Sequence, residues 1–253
     1  MTQGHDLAPN YWDYFIDQCA DRYNSTANES IWEAEFAGNG KGTMTTEGRV
    51  GNTIGIVAPD LSENNSYVGK KDPGYGYGQF WSTPKLYELY TENKDINRMN
   101  WSIAPFKYTQ SLGKGGAVDG REFEVGKLEE VKKQYWDQSF QYGETEPGAT
   151  IGDREKKTAS KYYDRCCAKW RREYEADKKN RNLTAINFPI LRYSDVLLMI
   201  AECENEINAA PTDLAYDCIN EVRERAGIKV IDKGSMNTED FRQADKDERA
   251  MEL

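Results

Sequence analysis

Apolar side chains along the chain fall into a few stretches of helical or strand period, separated by long segments with neither. Tyr11, Phe15, Cys19 and Tyr23 recur at helical spacing with Ile16 beside them. Pro9-Asn10 opens that helix and Asn24-Ser25-Thr26 closes it. Residues 31–36 alternate, which predicts a half-buried strand with Trp32, Ala34 and Phe36 on one face and Ile31, Glu33 and Glu35 on the other. Glycine then recurs from Gly38 to Gly78, and no helical period survives. The reading there is long irregular loop, with one short strand near Thr53 to Val57 and an aromatic end at Tyr67, Tyr75, Tyr77, Phe80 and Trp81. Thr83 as N-cap with Pro84 behind it predicts a helix carrying Leu86, Leu89 and Tyr90. Residues 91–126 read as loop and possible strand around the flexible Gly113 to Gly116. Leu128, Val131 and Tyr135 suggest a short amphipathic helix, residues 143–160 are polar, and Lys161 to Tyr174 fits strand or helix equally.

The C-terminal pattern is the clearest. An extended stretch through Pro189 ends at Arg192-Tyr193-Ser194-Asp195, and a helix follows from Val196 to about Asn208, apolar on nearly all sides of its first two turns. Pro211-Thr212-Asp213 caps a second helix whose stripe is Ala215, Ile219, Val222 and Ala226, ended by Gly227. Arg223 and Arg225 sit near the negative end of its dipole. So short a connection predicts an antiparallel hairpin. A third helix starts after Thr238 and runs to Leu253 without a closing cap, as if cut inside a helix. The pattern predicts a mainly α fold with a loop-rich irregular region and a few short strands. Residues 1–186 form the loop-rich part and residues 187–253 the helical part.

Composition narrows the function classes. Net charge is −10 with a pI near 4.9, which disfavours nucleic acid and anionic membrane surfaces as partners. The longest apolar stretch, Val196 to Ala201, falls far short of the roughly 18 residues of a membrane span. Met1 to Asp6 lacks the basic and apolar regions of a signal peptide, so the sequence gives no direct localisation. Cys19, Cys166, Cys167, Cys203 and Cys218 lack zinc-ligand spacing and read as ordinary thiols packed as small hydrophobes; with His5 the sole histidine, no metal or cofactor is expected. Glu33 and Glu35 would lie about 7 Å apart on one strand face, within reach of glycosidase geometry. Two such glutamates are far more often a solvated face, and there is no nucleophile elbow or phosphate loop, so no enzyme is expected.

Three blocks carry a family resemblance. Residues 187–202, Asn-Phe-Pro-Ile-Leu-Arg-Tyr-Ser-Asp-Val-Leu-Leu-Met-Ile-Ala-Glu, resemble the signature of the SusD/RagB family of outer-membrane nutrient-binding lipoproteins. Residues 219–227, Ile-Asn-Glu-Val-Arg-Glu-Arg-Ala-Gly, resemble its second block, and Glu248 to Leu253 the start of the next. The resemblance implies a mainly α fold with tetratricopeptide-like helix pairs, in a lipid-anchored protein on the outer membrane facing the medium. It also implies a SusC-like, TonB-dependent transporter as partner and oligosaccharide as cargo, with peptide in some relatives. Family members are much longer, and the anchoring cysteine and first helix pairs are absent here, so the chain reads as a C-terminal-half fragment. Within the signature, Arg192 and Asp195 read as structural, a charge pair and cap at a helix start.

Sugar rings have an apolar C–H face rimmed by hydroxyls, so a site wants exposed aromatics with amide or carboxylate neighbours. The glycine-rich stretch Asp72 to Trp81 supplies them, and Tyr75, Tyr77, Trp81, Tyr67, Gln79, Asn64 and Asn65 are the candidate ligand-binding residues. The competing reading has these aromatics anchoring a long loop to the core. Trp101, Trp136 and Trp170 read as core or interface. The Asn-x-Ser/Thr matches at Asn24, Asn28, Asn64, Asn100 and Asn182 carry no weight. The expected function is non-catalytic capture of oligosaccharide for a transporter. The alternatives are a peptide-binding relative or a helical interaction scaffold, which would show no exposed aromatic site near residues 64–81.

Overall fold

The computed structural model describes residues 4–37, 47–58, 60, 67–68, 74–104, 166–175 and 179–253. Its elements are α1 (Tyr11–Cys19), β1 (Ser30–Ala34), α2 (Val50–Thr53), β2 (Tyr67–Val68), α3 (Pro84–Glu92), α4 (Ile96–Ser102) and β3 (Ile103–Ala104). There follow β4 (Cys166–Cys167), a 3-10 turn (Arg172–Tyr174), β5 (Lys179–Asn180), β6 (Phe188–Arg192), α5 (Tyr193–Asn208), α6 (Asp213–Ala226) and α7 (Thr238–Glu252). The described fold is mainly α, with three two-stranded antiparallel ribbons: β1–β6, β2–β5 and β3–β4.

The helices end where their side chains can satisfy orphan backbone groups. Thr212 accepts from the Ala215 amide at 3.2 Å, and Asn237 accepts from those of Glu239 and Asp240. Gly227 closes α6 in the left-handed region at φ 73°, where a Cβ would be strained. The α5–α6 hairpin packs Leu197, Leu198 and Ala201 against Ala215, Ile219 and Val222, and α7 adds Phe241, edge-on to Tyr216 at 5.1 Å. Burial of α5 is one-sided, because Met199 and Ile207 face solvent. In α3, Thr83 accepts from the Leu86 amide, as its cap position predicts. In α1, Tyr11, Phe15 and Cys19 are buried, whereas Tyr23 lies past the helix end and is exposed.

Several local expectations are corrected. The strand expected near Thr53 to Val57 is instead the single turn α2 followed by a loop bridged from Ala58 to Gly76. The loop expected after residue 91 contains α4, capped by Asp95 accepting from the Arg98 amide. Lys161 to Tyr174 resolves, from Cys166 on, into β4 and the 3-10 turn. Residues 113–116, Leu128, Val131, Tyr135, Trp136 and residues 143–160 lie outside the described residues. In β1 the alternation breaks at Trp32, while Ala34 and Phe36 stay half-buried and Glu35 is exposed. Register irregularities on both sides of Trp32 leave its ring 62% exposed, while Ile31 packs on the helical core. Glu33 turns inward, accepting from Ser30, Asn187 and Gln18. All five cysteines are free thiols; Cys203 is exposed, while Cys19, Cys166 and Cys218 are buried. Trp101 and Trp170 are buried.

At the centre lies a cluster of buried charges. Arg98 meets Asp95 at 2.5 Å, Glu248 at 2.7 Å and Glu252 at 2.9 Å. Arg192 meets Glu29 at 2.9 Å and Glu252 at 2.6 Å, Arg223 meets Glu248 at 2.6 Å, and Arg225 meets Glu29 and Glu252. Arg192 therefore does not pair with Asp195, which meets Arg249 at 2.7 Å, and neither caps α5 through a side-chain hydrogen bond. Both remain structural, but their partners come from α7 and the residue before β1. Burial alone would raise the Glu252 carboxyl; Arg225, Arg192 and Arg98 overcome it and hold it well below the usual range.

Glu252→Gln leaves three buried guanidinium groups short of a counter-charge, and is expected to cost about 3–5 kcal/mol in chemical denaturation. Asp245, 2% exposed, behaves oppositely. Burial pushes its carboxyl up to about 7, Arg249 opposing and Glu202, Glu248 and Asp195 reinforcing. A raised folded value means its contribution is greatest in acid and is lost as pH rises from its unfolded value, about 4, through about 7. Asp245→Asn is thus expected to raise Tm at pH 8 by ~2–4 °C, the gain shrinking toward pH 4, as read by calorimetry across pH.

Candidate functional site

Arg172 organises two distant loops. Its buried guanidinium is held by Glu175 at 2.5 Å and donates to the carbonyls of Tyr75 at 2.9 Å, Arg181 at 3.1 Å and Asn180 at 2.5 Å. Asn52 donates to the same Tyr75 carbonyl at 2.9 Å and to that of Arg181 at 3.4 Å. Burial pushes the Glu175 carboxyl up, with Arg172 pulling against it. Pairing of β2 with β5 (Tyr67 opposite Asn180) and the Asn180 side chain, which accepts from the Asn182 and Leu183 amides, shape the second loop. Gly76 is needed for the first: a Cβ there would sit 2.2 Å from the Ile56 carbonyl oxygen.

What these loops present is an aromatic and polar surface. The Tyr75 and Tyr77 rings meet edge to face at 4.7 Å. The Arg181 guanidinium lies 4.9 Å from the Tyr75 ring centre, its Nε is 2.5 Å from Asp60, and its Nη1 donates to the Asn182 side chain at 3.3 Å. The Tyr77 hydroxyl donates to the same Asn182 oxygen at 3.2 Å. Tyr75 is half-buried under Arg181, so Tyr77, 39% exposed, is the ring that solvent reaches.

The seven candidates from the sequence do not all converge here. Trp81 bridges to Cys166 and, with Phe80, lines a separate cleft of about 240 Å³ with Leu86, Tyr90, Lys169 and Trp170. There Lys169 donates to the Leu253 and Glu252 carbonyls, and burial, with Arg192, pushes its ammonium down to about 7. Gln79 is exposed, its backbone N–H donating to the Thr53 carbonyl at 3.4 Å. Tyr67 is placed by its backbone in β2; Asn64 and Asn65 lie outside the described residues. Arg172, Arg181, Asn182 and Asp60 were not anticipated. The one available signal was the polar run around Asn180, which has no period to mark it.

Comparison with known proteins fits this architecture. The model of the SusD family matches residues 28–253, and the chain belongs to that family. A SusD-like protein of Formosa agariphila is 40% identical over 82 residues, 31% of this chain and 15% of its own length. A SusD homolog from Bacteroides thetaiotaomicron superposes with a TM-score of 0.70 at 23% identity, over 100% of this chain and 43% of that one. The surface glycan-binding protein A of the same species, in complex with laminarihexaose, gives 0.50 at 18% identity, over 99% of this chain and 45% of that one. The chain thus spans less than half the length of these solved relatives.

Gly76→Ala is expected to destabilise the chain by about 1–3 kcal/mol in urea, because the new Cβ meets backbone rather than a side chain that can turn away.

Proposed function

We propose that this chain binds oligosaccharide at the surface formed by Tyr77, Tyr75, Arg181 and Asn182. The observation that carries the reading is a solvent-facing tyrosine ring flanked by a guanidinium and an amide, on loops whose carbonyls at Tyr75, Asn180 and Arg181 are held by buried Arg172. A sugar ring stacks its C–H face on Tyr77 and exchanges hydroxyl hydrogen bonds with Asn182 and Arg181. Pre-ordered loops lower the entropic cost of capture. No bond is made or broken. Of Glu33 and Glu35, the pair with glycosidase spacing in the sequence, Glu33 is committed to Ser30, Asn187 and Gln18. Tyr67, Gln79, Asn64 and Asn65 complete the proposed ligand-binding set, with Trp81 as a secondary aromatic platform in its separate cleft.

The family supplies the setting. The protein acts on the cell surface at the outer membrane, held there by a lipid anchor, and hands its cargo to a SusC-like, TonB-dependent transporter. Residues 1–186 carry the ligand surface and residues 187–253 the helical scaffold. Relatives of this fold include a laminarin-binding SusD-like protein, TM-score 0.52 at 16% identity, which supports glycan as the ligand class.

Affinity gel electrophoresis against soluble polysaccharides tests the reading. Retardation by at least one polymer is expected, weakened about tenfold or more by Tyr77→Ala. A folded chain retarded by none would refute glycan binding and favour peptide cargo or a scaffold role.

A further inference from the structure

We propose that Asp60 is a specificity-determining residue, keeping Arg181 neutralised so that the surface accepts uncharged oligosaccharides and rejects uronate and sulfated ones. This rests on the glycan-binding reading above. A guanidinium recognises a carboxylate or sulfate best through two parallel N–H donors on one edge. In Arg181 those edges are already drawn upon. Nε lies 2.5 Å from the Asp60 carboxylate, Nη1 donates to Asn182 at 3.3 Å, and one face of the group lies over the Tyr75 ring. An incoming anion would have to displace Asp60 or sit beside its negative charge. A hydroxyl needs neither. It takes a single donor from Nη2, which has no partner among the described residues, or donates to the phenol oxygen of Tyr77, whose own proton goes to Asn182.

The wider field acts in the same direction. The chain carries a net charge of −10, which repels a polyanion on approach, with a range of about 8–10 Å at physiological salt. Asp60 and Arg181 are comparably exposed, with side chains 26% and 27% accessible. The pair therefore lies at the rim of the ligand surface, where it meets cargo, rather than in the core, where it would only hold the fold.

The test compares the wild-type chain with Asp60→Asn by affinity electrophoresis in about 0.15 M salt. Neutral polymers are starch, laminarin, xyloglucan and galactomannan; acidic ones are polygalacturonate, alginate and chondroitin sulfate. The wild type is expected to bind one or more neutral polymers and none of the acidic ones. Asp60→Asn, which keeps the shape and removes the charge, is expected to gain retention by an acidic polymer by about tenfold or more. Circular dichroism and an unchanged thermal transition show that the variant is folded. Wild-type retention by acidic polymers equal to that by neutral ones, or no acidic gain in Asp60→Asn, overturns the inference while leaving glycan binding intact. Retention of the folded wild type by no polymer at all overturns the underlying reading.

Discussion

The carboxylate of Glu252 is the point on which the described structure converges. It receives Arg98 from α4, Arg192 from the end of β6 and Arg225 from α6, all buried. Glu29, ahead of β1, bridges Arg192 and Arg225 from the other side. Its second role is to accept from the Ala8 amide, which brings in the segment before α1. Burying so many charges is not in itself a source of stability, since each ion loses hydration that its partners only replace. What the cluster does impose is uniqueness: any packing that displaces one helix leaves an unpaired buried charge. The three sequence blocks that carry the family resemblance are joined here, Arg192 from the first, Arg223 and Arg225 from the second, Glu248 and Glu252 from the third. These positions read as a motif because they meet in one place.

Local signals in the sequence were enough for α3, α5, α6 and α7. Thr83, Thr212 and Asn237 cap α3, α6 and α7, Gly227 ends α6, and α5 is marked by its apolar run without a side-chain cap. Helix α4 was not legible. Its buried face includes Arg98 and Asn100, and a buried arginine looks like a solvent-facing one until Glu248 and Glu252, about 150 residues later, join Asp95 as its partners. The sides taken by Ile31, Trp32 and Glu33 in β1 differ from expectation for a related reason. Alternation predicts sides only while the register is regular, and the irregularities around Trp32 turn Ile31 and Glu33 inward. The expected Arg192–Asp195 pair likewise followed from sequence proximity, whereas both residues have distant partners.

The proposed ligand surface shows the same division. An aromatic, glycine-rich loop was visible in the sequence, and Tyr75 and Tyr77 meet in the structure. The residues that give the surface its polarity, Arg181, Asn182 and Asp60, come from segments distant in sequence and are brought together by the β2–β5 pairing and by Arg172. Trp81 went elsewhere because its backbone bridges to Cys166, which turns it toward the cleft shared with Tyr90 and Trp170. Composition identified the aromatics; non-local backbone hydrogen bonds decided which of them share a surface.

Two buried arginines thus mark two levels of organisation. Arg192 and its neighbours fix the helices, and Arg172 fixes the loops that carry Tyr75 and Arg181. A site held in this way should receive its ligand with little rearrangement, as pre-organised interfaces do. A crystal structure of the chain with a bound neutral oligosaccharide tests this most directly. The account predicts a sugar ring over Tyr77 within hydrogen-bond distance of Asn182, with the backbone of residues 74–78 and 180–183 moved by less than about 1 Å. A sugar seated instead in the Trp81 cleft, or one that binds only after Tyr77 and Arg181 separate, would contradict it.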